Sequence, residues 1–404
     1  MNFLAPLVFF PVIPIALFVA WLLNRIFRIN PPEVKYKTID GLRGYLALFV
    51  FLHHSMVWHT YLQTGRWDAP ASNLYNNFGQ ASVSLFFMIT GFLFFTKMRD
   101  NAGKDFSWLK LFVSRFMRLT PLYLFSFFII LFIVGVITQF QLREPLGIVL
   151  VECWKWMTFN LFGESCLNTT NLPINAGVTW SLVYEWFFYF SLPLFGAIFF
   201  RIKSSALTSI IVILLLVIIA SCTPLNLALF YSFVGGIIAA WLIRSEKIRK
   251  LAVSPWAALI AMASVVATVK FFRSPIDYIP AILLSIAFII IACGNTLFGV
   301  LKWKISRLFG QLSYPIYLLH GIVLFVMIHF IAGEDKTAKL SFRNYWLFIY
   351  GCAAIVVTVC FVMHHLIELP GMKRTGKVYD YIRSLFDTSR VKVKTVLLRI
   401  TFRR

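Results

Sequence analysis

Ile39-Asp40-Gly41-Leu42-Arg43-Gly44-Tyr45-Leu46-Ala47-Leu48-Phe49-Val50-Phe51-Leu52-His53-His54 is the stretch on which the fold turns. From Arg43 to His54 is about three α-helical turns, so both side chains face one side of a single helix, about 16 Å apart along its axis. The residues between them are mostly apolar, which places the helix in a bilayer. The guanidinium then sits near one membrane surface and the imidazole deep inside. Either group is costly in lipid, so the pair marks a cavity with a task.

The surrounding composition agrees. The chain has 404 residues, of which 60% are hydrophobic, 17% aromatic and only 13% charged. That excludes an ordinary soluble protein and predicts an all-α polytopic membrane protein. The formal net charge of +22 would suggest nucleic acid in a soluble domain. Here the basic residues lie in short loops beside apolar segments, as the positive-inside rule requires, and no nucleic-acid partner is expected. Cys153, Cys166, Cys222, Cys293, Cys352 and Cys360 have no CxxC spacing and lie mostly in apolar runs. Neither a metal site nor a disulfide framework is expected. Residues 3–23 are apolar, but Arg25, Arg28, Lys35 and Lys37 follow them. A cleaved leader has the opposite asymmetry, so a retained helix with its N-terminus outside is predicted.

About eleven crossings (10–12) are predicted, at about 3–23, 41–61, 79–96, 119–139, 179–199, 206–221, 226–243, 253–271, 278–298, 308–331 and 344–366. The loops at 24–40, 97–118, 200–205, 244–252 and 299–307, and the tail from 367, are basic, whereas those at 62–78, 140–178, 222–225, 272–277 and 332–343 are near neutral or mixed. Every basic loop then falls on one side, assigned to the cytoplasm together with the C-terminus. Residues 145–162 are moderately apolar but contain Glu152 and Lys155. As a crossing they would put every later basic loop outside, so they are predicted to be re-entrant or interfacial. The domains expected are an N-terminal helix and basic loop (1–36), a membrane core (37–372) and a basic tail (373–404) resting on the anionic leaflet or simply solvated.

Within the crossings carboxylates are almost absent, and Glu185 is the exception. It and His54 lie at similar depths. They form either a base with its orienting carboxylate or a polar clamp between two helices. His53 points about 100° away and is read as a packing histidine, and His59 as a rim residue meeting water. Tyr314, Tyr317 and His320 recur every three residues, a stripe that either walls a substrate or bonds helices together. Pro315 is read as a kink that frees a carbonyl. Arg115, Arg118 and Arg43 share the basic rim. They either anchor helices to headgroups or converge on phosphates, whose oxygens the guanidinium fork matches. Ser84, Thr90 and Gly91 are read as allowing close helix approach. His364, His365, Glu368 and Pro370 close the last crossing, with Glu368 read as a partner for a basic rim residue.

These stretches, in this order, resemble the membrane-bound acyltransferase-3 family. Arg43 through His54 is similar to its Arg-x10-His pattern. Phe86-Phe87-Met88-Ile89-Thr90-Gly91 is similar to its Phe-Phe-x-x-Ser-Gly stretch, with Thr90 in place of serine. Arg115 to Tyr123 resembles its Arg-x-x-Arg-x-x-Pro-x-Tyr run, and Trp180-Ser181-Leu182 to Tyr189 its Trp-Ser-Leu-x-x-Glu-x-x-x-Tyr segment. Ser313 to His320 and Ile367-Glu368-Leu369-Pro370 match its C-terminal stretches. The helix at 3–23 is additional to the family core, and no esterase-like domain is expected after it.

The resemblance implies an enzyme of the bacterial inner membrane. It takes an acyl group, commonly acetyl, from acyl-CoA to a hydroxyl of a sugar, glycan or lipid-linked intermediate, with no permanently bound cofactor. On this basis His54 is the expected general base, with Glu185 orienting it. Arg43, Arg115 and Arg118 are expected on the CoA phosphates. Tyr317 or His320 is expected at the oxyanion or the acceptor, and Asp40, Ser181 and Tyr314 at the substrate. A covalent acyl-enzyme route stays open, as does the oligomeric state. A transporter using His and Glu as a proton relay and a structural scaffold are the alternatives from other classes.

Overall fold

A backbone in lipid must bond to itself, so each apolar segment becomes a helix. The computed structural model describes residues 8–28, 33–104, 106–163 and 166–385. The start of the first apolar segment and the tail beyond 385 therefore lie outside the described residues. The order begins α1 (Val12–Phe27), α2 (Lys37–Thr64), α3 (Asn73–Asp100), α4 (Trp108–Ile137), α5 (Leu146–Met157), α6 (Trp180–Phe200), α7 (Ala206–Cys222) and α8 (Phe230–Leu242). It continues with α9 (Glu246–Ala252), α10 (Pro255–Phe271), α11 (Tyr278–Ala292), α12 (Lys304–Gln311), α13 (Ser313–Phe325), α14 (Glu334–Ala338), α15 (Phe342–Met363) and α16 (Leu369–Lys373). Among the described residues the only β feature is an isolated bridge, Leu167 to Thr170.

Local chemistry sets the ends. Ser107, Ser205, Ser245, Ser254 and Ser341 cap α4, α7, α9, α10 and α15, each hydroxyl accepting from the backbone N–H three residues on. Gly65 closes α2 at φ 69°, its N–H bonded to Tyr61 O at 2.7 Å, a conformation that suits glycine.

Helices α2 and α3 form the centre, and their close neighbours meet them at glycines. A side chain at Gly310 on α12 would collide with Asp40 O on α2, and one at Gly236 on α8 would collide with Met88 O on α3. Backbones this close are the small-residue packing of membrane helices. Helix α1 lies on α15, where Tyr350 Oη donates to Val8 O at 2.7 Å.

The outward faces are apolar. Phe128, Phe132, Ile198, Leu207, Ile210, Leu214, Ile260 and Ile282 are all exposed. A face of this kind requires lipid rather than water. Helices α3, α4, α6, Ser313–Ala332 and Phe342–Leu385 are long and apolar enough to span, and α8 with α9 forms a pair bent by 112°. Shorter apolar helices are α1, α7, α10 and α11. The protein is thus an all-helical integral membrane protein.

Two sequence expectations change in detail. The segment predicted at 308–331 is split. Helix α12 ends at Gln311, and α13 carries Pro315 in its first turn rather than at a mid-helix kink, then passes into a π-helical turn at Val326–Ala332. The 145–162 segment contains α5, twelve residues or about 18 Å long, well short of a hydrocarbon core of about 30 Å.

Candidate active site

Five helices leave a gap between them. Arg43 from α2, Thr90 from α3, Arg115 and Arg118 from α4, Ser181 and Glu185 from α6, and Tyr314 and Tyr317 from α13 all line one cavity. Its atom-free space is about 800 Å³, counted to its open mouth. Seven residues singled out from sequence therefore meet here: Arg43, Arg115, Arg118, Ser181, Glu185, Tyr314 and Tyr317.

Side-chain contacts divide the wall into layers. In one layer Arg115 lies 5.2 Å from the Phe94 ring centroid, and Phe94 packs on Tyr189 at 5.1 Å. In the next, Thr90 Oγ1 donates to Glu185 Oε1 at 3.1 Å, and the carboxylate faces Arg118, Arg115 and Arg43. In the third, Ser181 Oγ and Tyr317 Oη are 2.7 Å apart, Tyr317 Oη also reaches Val178 O at 3.2 Å, and Phe86 packs edge-on to Tyr317. Beyond this layer Tyr317 meets the His320 ring at 6.5 Å.

His320 and His54 are hydrogen-bonded across α13 and α2. His54 Nδ1 lies 2.9 Å from His320 Nε2 and 3.1 Å from Val50 O. His320 Nδ1 lies 2.8 Å from Ile316 O. A carbonyl only accepts, so His320 Nδ1 carries a proton, and in the neutral pair His320 Nε2 is bare. His54 Nδ1–H donates to it. The proton sites are then filled in order, and His54 Nε2 is left with its lone pair. Trp67 lies parallel to the His54 ring, 6.4 Å away and tilted by 12°.

Several expected partnerships are replaced by others. Glu185 and His54 share no hydrogen bond. Thr90 holds the carboxylate, and a histidine takes the place expected for it beside His54. Asp40 does not line the cavity but faces its helix neighbour Arg43, with Oδ1 3.5 Å from Nη1. His54 and His320 lie just past the cavity wall, behind Tyr317. Tyr314 donates to Leu119 O at 2.7 Å, joining α13 to α4. Glu368 is bonded to His364 at 2.6 Å, not to a rim arginine. His53 is in the packing role read for it, with Nδ1–H donating to Tyr75 O at 2.8 Å and its ring against Gly79.

The sequence does not mark Thr90 and Tyr189 as cavity residues, although both line the cavity. Thr90 reads as helix packing there, and the signal available is a lone hydroxyl in an apolar run of α3. Gly91 does fulfil the packing role, since a Cβ on it would lie 2.5 Å from Phe233 O.

A bundle with lipid-facing sides thus encloses a cavity of arginines and a carboxylate, with a histidine pair just behind its wall. The acyltransferase domain model of the acyltransferase-3 family matches residues 36–365. The chain belongs to that family and is a membrane acyltransferase. It is similar to acyltransferase MdmB of Streptomyces mycarofaciens, with 25% identity over 389 residues, 86% of this chain and 94% of the relative. No solved structure matches.

Proposed function

We propose that the protein is an O-acyltransferase of the bacterial inner membrane that moves an acyl group, acetyl in the simplest case, from cytoplasmic acyl-CoA to a sugar hydroxyl of a cell-surface glycan or its lipid-linked precursor. The observation that carries this reading is the layered cavity, with arginines along its wall and the His54–His320 pair just beyond Tyr317. Arg43, Arg115 and Arg118 suit the phosphates of the donor, because a guanidinium fork pairs with phosphate oxygens. The pantetheine arm is narrow enough to follow the wall past Glu185 and Tyr317.

In the reaction, His54 Nε2 takes the hydroxyl proton as the oxygen attacks the thioester carbonyl. The C–S bond breaks, the new ester forms, and the imidazolium returns its proton to the departing thiolate. His320 is a positioning residue that fixes the tautomer and orientation of His54. Glu185 is assigned to the arginine layer, where its charge offsets the guanidiniums in the absence of donor. With Tyr317 engaged by Ser181 and Val178, it is assigned to shaping the passage.

The test uses purified protein, acetyl-labelled CoA and extracted lipid-linked glycans, comparing wild type with His54→Ala at equal folded protein. The expected outcome is label in the glycan with wild type and a loss of about 10²–10⁴-fold in the variant, the usual contribution of a general base. Equal transfer by both would remove His54 from the chemistry.

A further inference from the structure

A second cavity lies apart from the first, and none of the residues lining it takes part in the reaction above. It opens between the chain entering α2, the elbow joining α8 to α9, and the end of α11. Five cationic side chains line it: Lys35, Lys37, Arg244, Arg249 and Lys302. Two carboxylates answer them. Asp100 bonds both Lys35 and Arg244, and the exposed Glu33 bonds Lys37 at 2.8 Å. That hydrogen bond holds the Glu33 carboxyl below its ordinary range. Arg249 and Lys302 have no carboxylate partner among the described residues. The charge is therefore out of balance within a formed cavity, and such a concavity concentrates anions.

The walls are fixed without a ligand. Thr38 Oγ1 donates to Ile291 O at 2.9 Å, tying α2 to α11. Asn295 Nδ2 donates to Ala252 O at 2.7 Å and Ser254 O at 3.1 Å, tying the end of α11 to the turn after α9. Around this end of the molecule Trp241, Trp256 and Trp303 are exposed, as indoles are at the headgroup level of a bilayer.

We propose that this basic cavity is a binding site for a phosphate-bearing group, and that the occupant is the headgroup of an anionic phospholipid of the same leaflet. The headgroup phosphate sits between Arg249 and Lys302, and the acyl chains lie on the apolar surface beside the tryptophans. The site would couple activity to the lipid composition of the leaflet and hold the bent α8–α9 pair against the start of α2.

The test places the full chain in nanodiscs of phosphatidylcholine, alone or with increasing phosphatidylglycerol, and follows the unfolding midpoint. Three proteins are compared: wild type, Arg249→Gln with Lys302→Gln, and a control of equal charge change, Lys203→Gln with Lys373→Gln. Phosphatidylglycerol is expected to raise the midpoint of wild type and control, and the double variant should lose more than half of that gain. A parallel arm adds adenosine 3′,5′-bisphosphate to the phosphatidylcholine discs. Stabilisation there, lost only in the double variant, would support the phosphate site while transferring it to a soluble nucleotide. If both variants lose the lipid effect equally, or neither compound produces a shift that depends on Arg249 and Lys302, the proposal is overturned. None of these readouts requires acyl transfer, so the result stands apart from the enzymatic reading.

Discussion

His320 has one proton acceptor and one proton donor placed on opposite ring nitrogens, Ile316 O at 2.8 Å and His54 Nδ1 at 2.9 Å. In the proposed reaction a residue so bonded fixes its neighbour. His320→Phe keeps a ring of similar size and removes both bonds. It is expected to lower kcat about 10²-fold while leaving the KM for acyl-CoA near wild type. The double variant with His54→Ala should be no slower than His54→Ala alone, because residues that act as a unit are not additive. A further loss in the double variant would assign His320 an independent role. Arg118→Gln belongs to the other end of the path. It is expected to raise the KM for acyl-CoA by about tenfold, equivalent to about 1.4 kcal/mol, with a smaller change in kcat. Most of these residues were legible in the sequence because a charged or imidazole group in an apolar run stands out. Their pairing was not legible. Glu185 and Thr90 lie on different helices, as do His54 and His320, and depth along a helix does not determine which helices adjoin.

At the scale of elements, the close crossings decide where the cavity residues point. Arg43 sits between Gly41, whose α-carbon faces Leu301 O, and Gly44, which faces Phe309 and Gly310. The start of α2 is thus pressed onto α12 and the turn just before it on one face, while Arg43 projects into the cavity. Gly310→Ala inserts a methyl against Asp40 O and is expected to destabilise the protein by about 1–3 kcal/mol, the usual cost of overpacking. Gly351 on α15 has nothing within 4 Å of the added carbon, so Gly351→Ala should leave the unfolding midpoint in detergent unchanged or raised. Equal losses from both would mean that helix contact at Gly310 is not limiting. Apolar length gave away the helices themselves. The break between α12 and α13 does leave a signal, Gly310 before it and Pro315 in the first turn of α13, but the same residues also fit a kink within one longer helix.

For the whole molecule, the sidedness of every loop after residue 145 depends on whether α5 crosses. Charge parity argues that it does not, since a crossing would move every later basic loop outside. The geometry supplies a second argument. Residues before and after α5 are bonded to each other: Asn168 Nδ2 donates to Gln141 O at 2.9 Å, and Arg143 N donates to Asn168 Oδ1 at 2.7 Å. Glu152 in the helix accepts from Asn168 N at 2.9 Å, so the returning chain lies on α5 itself. Leu146, Leu150, Val151 and Trp154 form its exposed apolar face, which suits a helix lying in the interface. Both flanks of α5 should then be accessible from one side. In intact cells, a membrane-impermeant maleimide is expected to label Cys166, and equally a cysteine introduced by Gln141→Cys in a variant lacking the native thiols. A cysteine introduced by Lys203→Cys should react only after the membrane is opened. If Cys166 and the cysteine at 141 were instead labelled from opposite faces, α5 would be a crossing despite its length, and the basic loops would lie outside.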